Sequence, residues 1–360
     1  MRVQLVINPH DETRSWTLLD NELCVVEPVE AFLAHISAIG RSPNTIRAYA
    51  LDLQDFFTYL NYSDLRWDRL QLEDVGRFVP WLGLSDEARA GGASTLPMRS
   101  TRCAATTVNR KLAAVSSFYL FHARHGVALS ESMTAWQRQG RLAGPWEPFL
   151  AHLGNQPVRR RVLALKTHRR YPRALAEDEV DALMAACNHL RDRFLFTLLR
   201  SAGLRIGEAL GLRHEDINPR RCELSVRFRE NTNYARAKTN SRVVPVSEHV
   251  IGLYADYLHD EYGDLDSDYV FINLWAQPIG SAMRYSAVHE LVGSLRQRTG
   301  VAFTPHMFRH TYATELLRSG VAAEVVRALL GHASVATTIG TYAHLNADDI
   351  RRALVKAGML

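Results

Sequence analysis

Four stretches of the 360-residue chain carry side chains whose types and spacing could act on a phosphate. In SAGLRIGEALGLR (201–213), Arg205 follows Gly203 at the start of a short helix. Backbone N–H groups lack intrahelical partners there, so an anion is favoured. Glu208 comes three residues on, on the same face, and can orient the guanidinium. In TPHMFRHTYATELLRSG (304–320), Thr304 fits an N-cap and Pro305 the first helical position. His306 and Arg309 then lie side by side on one face. In GHASVATTIGTYAH (331–344), His332 directly follows the glycine that ends a helix, and Tyr342 sits on a further short helix that Ser334 can cap. Lys238 stands in the polar stretch NTNYARAKTNSRVV, at the tip of a hairpin between two alternating segments. Only 4 of the 43 basic residues are lysines (Lys111, Lys166, Lys238, Lys356). Lysine can be tuned to release a proton near neutral pH, whereas arginine cannot.

Each signal has an ordinary structural reading when taken singly. Arg205 with Glu208 reads as a surface ion pair, Lys238 as a loop charge and Tyr342 as packing. His306 and His310 are spaced i, i+4, as zinc ligands can be. No glutamate lies between them as in HExxH, however, and no carboxylate or cysteine partner is evident. A histidine beside an arginine suits an anionic substrate better. Taken together, the residues supply a nucleophile, cations to hold a phosphate and groups to move protons.

The elements that must position them form two parts. Residues 1–24 are an N-terminal extension that alternates weakly, as a hairpin or an arm does. From Val25 the apolar spacing is helical, with Gly40 as a stop, Ser42 and Pro43 as a start, a third helix near 71–82 and a strong amphipathic helix ended by Gly126. A bundle of helices is expected over 25–155, with a long loop at 85–103 and an irregular segment at 127–154. The second part, 173–360, opens on LAEDEVDALMAA, whose acids suit a first turn. CELSVRF and RVVPVSEHV alternate with period two and read as paired strands; the remainder is helical, including NADDIRRALVKAG at 346–358. The expected fold class is mainly α with a small antiparallel β-sheet in the second part.

Charge marks the junction. The chain carries 43 Lys and Arg against 38 Asp and Glu, and the two flanking parts are nearly balanced. The excess falls in NQPVRRRVLALKTHRRYP, within the expected linker 156–172, as Arg159, Arg160, Arg161, Lys166, Arg169 and Arg170. A basic run at a composition break reads as a segment that touches a polyanion. There is no run of about 18 apolar residues to span a membrane, and no basic-then-apolar leader. The four scattered cysteines fit a reducing cytoplasm rather than a disulfide framework.

The order and spacing of AGLRIGEALGL, RAKTNSRVVPV, HMFRH, LLGHAS and the terminal TYAH resemble the tyrosine recombinases, the phage integrases and their bacterial and transposon relatives. SPNTIRAYALDLQDFF and TTVNRKLAAVSSFY are similar to that family's SAM-like core-binding domain. The 85–103 and 127–155 stretches look like insertions. The resemblance implies a clamp-like pair of domains and strand cleavage through a 3′-phosphotyrosyl intermediate, with no cofactor and no metal. Arg205, Arg309 and His332 would hold the scissile phosphate, His306 would take the tyrosine proton, Lys238 would protonate the leaving 5′ oxygen and Tyr342 would attack. Glu208 would orient Arg205. The implied partners are double-stranded DNA and three further copies at synapsis, with room for an accessory factor or a second recombinase. The competing readings are a DNA-relaxing enzyme of the type IB topoisomerase kind, a DNA-binding accessory protein that does not cleave, and a zinc nuclease built on His306 and His310.

Overall fold

The computed structural model describes residues 1–7, 14–84, 103–127, 129, 133–137, 158–167, 173–235, 237 and 241–331. The chain divides into two compact units, Met1–Arg169 and Arg170–Leu360.

The first unit opens with strands β1 (Arg2–Ile7) and β2 (Arg14–Leu19), paired antiparallel. The expected extension is thus a hairpin, and it is fastened to the helices. Leu18 is fully buried, Gln54 Nε2 donates to the Met1 carbonyl at 3.0 Å, and the Arg47 guanidinium lies 5.1 Å from the centre of the Trp16 ring. Helices α1 (Glu27–Ala38), α2 (Pro43–Tyr62), α3 (Leu72–Leu82) and α4 (Ala105–His122) follow. Ser42 caps α2 by accepting from the Thr45 N–H at 3.3 Å, and Pro43 takes the first position, as the sequence indicates. The core is aromatic. Phe56 meets Phe78 edge-on at 5.2 Å, and Phe118 meets Phe57 in the same manner at 5.6 Å.

The segment expected to be irregular and the segment expected to be a linker pair with each other. Strand β3 (Thr134–Gln137) runs antiparallel to β4 (Val158–Arg161), with Trp136 opposite Arg159 and Thr134 opposite Arg161. Beyond β4 the chain is pinned to α4. The Asn109 side chain accepts from the Leu165 N–H at 2.8 Å and donates to the Leu165 carbonyl at 2.9 Å. Residues 158–165 are therefore part of the first unit, because the ladder and the asparagine satisfy backbone groups that a linker would leave to water.

In the second unit, α5 (Glu177–Ala185) leads to α6 (Leu190–Ala202). Phe194, Leu195, Phe196, Leu198, Leu199 and Ala202 are all fully buried, so α6 is apolar around much of its girth and forms the centre of the unit. A one-turn helix, α7 (Ile206–Ala209), follows, then an antiparallel sheet of β5 (Ile217–Asn218), β6 (Glu223–Val226) and β7 (Arg242–Pro245). Val226 lies opposite Arg242, so the expected paired strands are present. Helix α8 (Glu248–Tyr257) packs on α6, followed by α9 (Tyr285–Thr299), α10 (Pro305–Arg318) and α11 (Ala323–Leu330). Phe308 of α10 stacks on Phe196 of α6 at 5.3 Å, which fixes the helix that carries His306 and Arg309 against the central one.

Candidate active site

Helix α6 ends at Gly203, which takes a left-handed conformation (φ +60°). A Cβ at this position would lie 2.4 Å from the Tyr312 ring and 2.9 Å from Leu330, so both conformation and space require glycine. The turn sets Arg205 as the residue capping α7. Glu208, one turn later, folds back onto the Arg205 backbone N–H at 2.9 Å and onto its guanidinium at 2.9 Å. The pair expected from the spacing is present, and it is not a surface pair, since the Glu208 side chain has no exposure.

Two further arginines converge on the same carboxylate. Arg309, on α10, has its Nη1 3.8 Å from Glu208, and its side chain is 1% exposed. Its two terminal nitrogens donate to the carbonyls of Gly203 and Leu330, both at 2.6 Å. Arg242, the first residue of β7, donates to both Glu208 oxygens, at 3.2 and 2.8 Å, and through Nε to the Leu329 carbonyl at 2.7 Å. Arg205 adds longer contacts to the carbonyls of Leu330 (3.4 Å) and Gly331 (3.5 Å). Three guanidiniums thus hold one carboxylate and three carbonyls at the α11 end, where helix carbonyls are short of partners.

The electrostatics follow from this packing. Burial alone would raise the Glu208 carboxyl. The hydrogen bonds and charge of Arg242, then those of Arg205, outweigh it and hold the group at about 2. His306 is the exposed neighbour on α10. Partial desolvation and the charges of Arg309 and Arg205 push its pKa below the ordinary histidine value, so the ring is neutral near pH 7 and can accept a proton. Thr304 occupies the N-cap position of α10, but its hydroxyl makes no capping bond. His310 is buried, and among the described residues no group of three or more His, Cys, Asp or Glu could hold a metal ion.

The structure therefore brings together Arg205, Glu208, His306 and Arg309. Lys238, His332, Tyr342, Arg169 and Arg170 lie outside the described residues, as does the expected 346–358 helix. Arg159 and Arg160 are on β4. Arg161 donates to the Asn109 carbonyl at 2.8 Å, and Lys166 is exposed. Arg242 was not singled out from the sequence. The signal was there: it shares a strand face with Val244, which is fully buried, and an inward-facing arginine needs a buried anion.

Comparison with known proteins gives a consistent picture. Residues 173–349 match the model described as the phage integrase family, and residues 29–126 match the phage integrase N-terminal SAM-like domain. Transposase A from transposon Tn554 of Staphylococcus aureus is 35% identical over 98% of this chain and 96% of its own length. Tyrosine recombinase XerD of Pseudomonas aeruginosa is 30% identical, covering 85% of this chain and 88% of its own. Among solved structures, the Tn1549 transposon integrase in complex with transposon right end DNA shares the fold. It has a TM-score of 0.58 at 16% identity and covers 92% of this chain and 99% of that one.

Proposed function

The chain belongs to the phage integrase family, the tyrosine recombinases, and is a site-specific recombinase that cleaves and rejoins DNA; we propose that it does so with Tyr342 as nucleophile, at a phosphate gripped by the arginines around Glu208. The convergence of Arg205 and Arg309 on one buried carboxylate carries this reading.

In the proposed reaction Arg205, Arg309 and His332 donate to the non-bridging oxygens of the scissile phosphate and stabilise the charge that gathers there as phosphorus becomes five-coordinate. The Tyr342 oxygen attacks phosphorus, and its proton passes to His306, which is suited to receive it while neutral. As the bond from phosphorus to the 5′ oxygen breaks, Lys238 supplies a proton to that oxygen. The products are a 3′-phosphotyrosyl link and a free 5′-hydroxyl. One phosphodiester replaces another, so the step needs no ATP and is reversible. A 5′-hydroxyl from a partner strand then attacks the phosphotyrosine and exchanges the strands.

The partners are double-stranded DNA and, at synapsis, three further copies of the chain. The basic residues Arg159, Arg160, Arg161, Lys166, Arg169 and Arg170 contribute phosphate contacts, which makes affinity fall steeply with salt. Similarity to the Tn554 transposase along nearly the full length of both chains favours a role in moving a transposable element.

The test is a denaturing gel of the protein with labelled duplex from the ends of its own element, nicked beside the scissile position, with EDTA present. A covalent protein–DNA band in the wild type that Tyr342→Phe abolishes is the expected outcome. A band of equal strength with Tyr342→Phe would remove the tyrosine from its role.

A further inference from the structure

Lys238 belongs to the connection 227–241 between β6 and β7. A connection of that length between paired strands would ordinarily be a free tip, a poor mounting for a proton donor. A general acid must come within about 3 Å of the atom it protonates, and an error of about 1 Å in such placement costs on the order of a hundredfold in rate.

The approach to Lys238 is anchored instead. Asn233 is buried, and its side-chain amide donates to the carbonyls of Leu210 and Met283, each at 2.9 Å. The same side chain accepts from the Ala235 N–H at 3.0 Å. One residue thereby ties the connection to the end of α7 and to the stretch before α9. Asn231 braces the turn from within, donating to the Ala235 carbonyl at 2.8 Å, while Tyr234 adopts φ +62°. The Tyr269 hydroxyl accepts from the Thr232 N–H at 3.1 Å. Gly211 permits the close approach, since a Cβ there would lie 2.9 Å from the Asn231 amide nitrogen. Ala235 and Ala237 are both core residues. On the far side of Lys238, Arg242 is locked to Glu208. Both flanks are therefore referenced to α7, the helix that Arg205 caps.

We infer that Asn233 is a positioning residue for the cleavage reaction: it fixes residues 231–235, the stretch that leads to Lys238, on the end of α7, and by doing so serves the delivery of the proton to the phosphodiester that Arg205 is to hold. The inference rests on the reading of Lys238 as the general acid, and the experiment separates the two. In the normal substrate the P–O5′ bond breaks with its electron pair going to oxygen, which takes a proton from Lys238. With sulfur in place of that bridging oxygen, the P–S bond breaks to give a thiolate. A thiol is far more acidic than an alcohol (the cysteine thiol has a pKa of about 8.5), so a thiolate leaves without needing the proton.

The full-length protein is followed in single-turnover formation of the covalent complex on two nicked duplexes, one with oxygen and one with sulfur at the 5′-bridging position. Asn233→Ala and Tyr269→Phe are compared with Lys238→Ala and wild type, with thermal melting and DNA binding measured alongside. We expect Lys238→Ala to be slowed about 10²–10⁴-fold on the oxygen substrate, and Asn233→Ala about 10–100-fold, with a smaller loss for Tyr269→Phe. All three should return to within a few-fold of wild type on sulfur. If Lys238→Ala recovers on sulfur while Asn233→Ala stays equally slow on both, Asn233 serves the fold or the arginines and the inference fails. Wild-type speed of Asn233→Ala on oxygen overturns it too. If Lys238→Ala itself does not recover, the general-acid reading fails, and the inference falls with it. Should Asn233→Ala melt too low to assay, Tyr269→Phe carries the same comparison, because it removes one hydroxyl and leaves the ring that packs beneath Arg213.

Discussion

Each unit of the molecule buries a carboxylate among basic side chains, and the two carboxylates respond in opposite directions. In the first unit, Asp52 of α2 accepts from Arg110 at 2.6 Å and from Lys111 at 3.4 Å, both on α4, and Lys111 also pairs with Asp55. Burial dominates there and raises the Asp52 carboxyl. Arg110, which is 53% exposed, and Lys111 offset only part of that cost, and Asp55 adds to it. In the second unit, Glu208 is fully enclosed by better-placed donors and is held at about 2. The first cluster is a fastening between two helices. The second sets one carboxylate against three guanidiniums, with helix-end carbonyls taking up the balance, and its Arg205 end is 26% exposed. A surplus of fixed positive donors is what a phosphate gaining negative charge requires; a charge-balanced fastening could not provide it.

The contrast is sharpest in the chemistry. Replacing Arg309 by lysine should slow formation of the covalent DNA complex by about a thousandfold, because a single ammonium cannot reproduce the guanidinium's forked contacts to Gly203, Leu330 and Glu208. A single-turnover rate within tenfold of wild type would dissolve the distinction between the clusters. Next in size is Glu208→Gln. It leaves buried guanidiniums without their anion and should cost about 3–5 kcal/mol in denaturant unfolding of the second unit. The pH dependence carries a sign. Glu208 has an ordinary value of 4.5 and a folded value of about 2, so its stabilisation is complete above 4.5 and is lost as pH falls toward 2. Glu208→Gln should remove that acid-side loss.

Asp52 should show the reverse slope. Its raised carboxyl binds a proton more readily when folded, so ionisation costs stability near neutral pH and acidification relieves that cost. Asp52→Asn is therefore expected to change stability by no more than about 1 kcal/mol and to leave the single-turnover cleavage rate unchanged. A large rate loss would show that the first cluster also serves the chemistry. A finer test is the acid limb of the cleavage rate. With the His306 pKa lowered by desolvation and by Arg309 and Arg205, wild-type activity should persist below the ordinary histidine pH range, and His306→Ala should lose that limb.

The parts of the site that were legible in the sequence are those built by local geometry. Arg205 with Glu208, and His306 with Arg309, are one helical turn apart, and that spacing alone places each pair on a common face. Arg242 and Asn233 were harder to find because their partners are distant in sequence. Arg242 meets Glu208 across 34 positions, and Asn233 reaches Met283 across 50. No period within either segment encodes those contacts. The basic run shows the same limit: its composition suggests a polyanion contact but not a strand, and β4 forms by pairing with Thr134–Gln137. That partner comes from a stretch with no strand pattern to read.

The α11 helix ends with the carbonyls of Leu329, Leu330 and Gly331 in the grip of Arg242, Arg309 and Arg205. Phosphate oxygens would draw on the same kind of N–H donor, so the position of this helix end and the affinity for phosphate are linked thermodynamic quantities. Linkage is reciprocal. Whatever factor DNA imposes on the placement of the α11 end, an equal factor must act on DNA binding when that end is pulled from elsewhere. In the proposed site the helix end would in this sense be a handle as well as a support: a displacement of the Leu329–Gly331 carbonyls would be felt by the arginines that are to hold the phosphate.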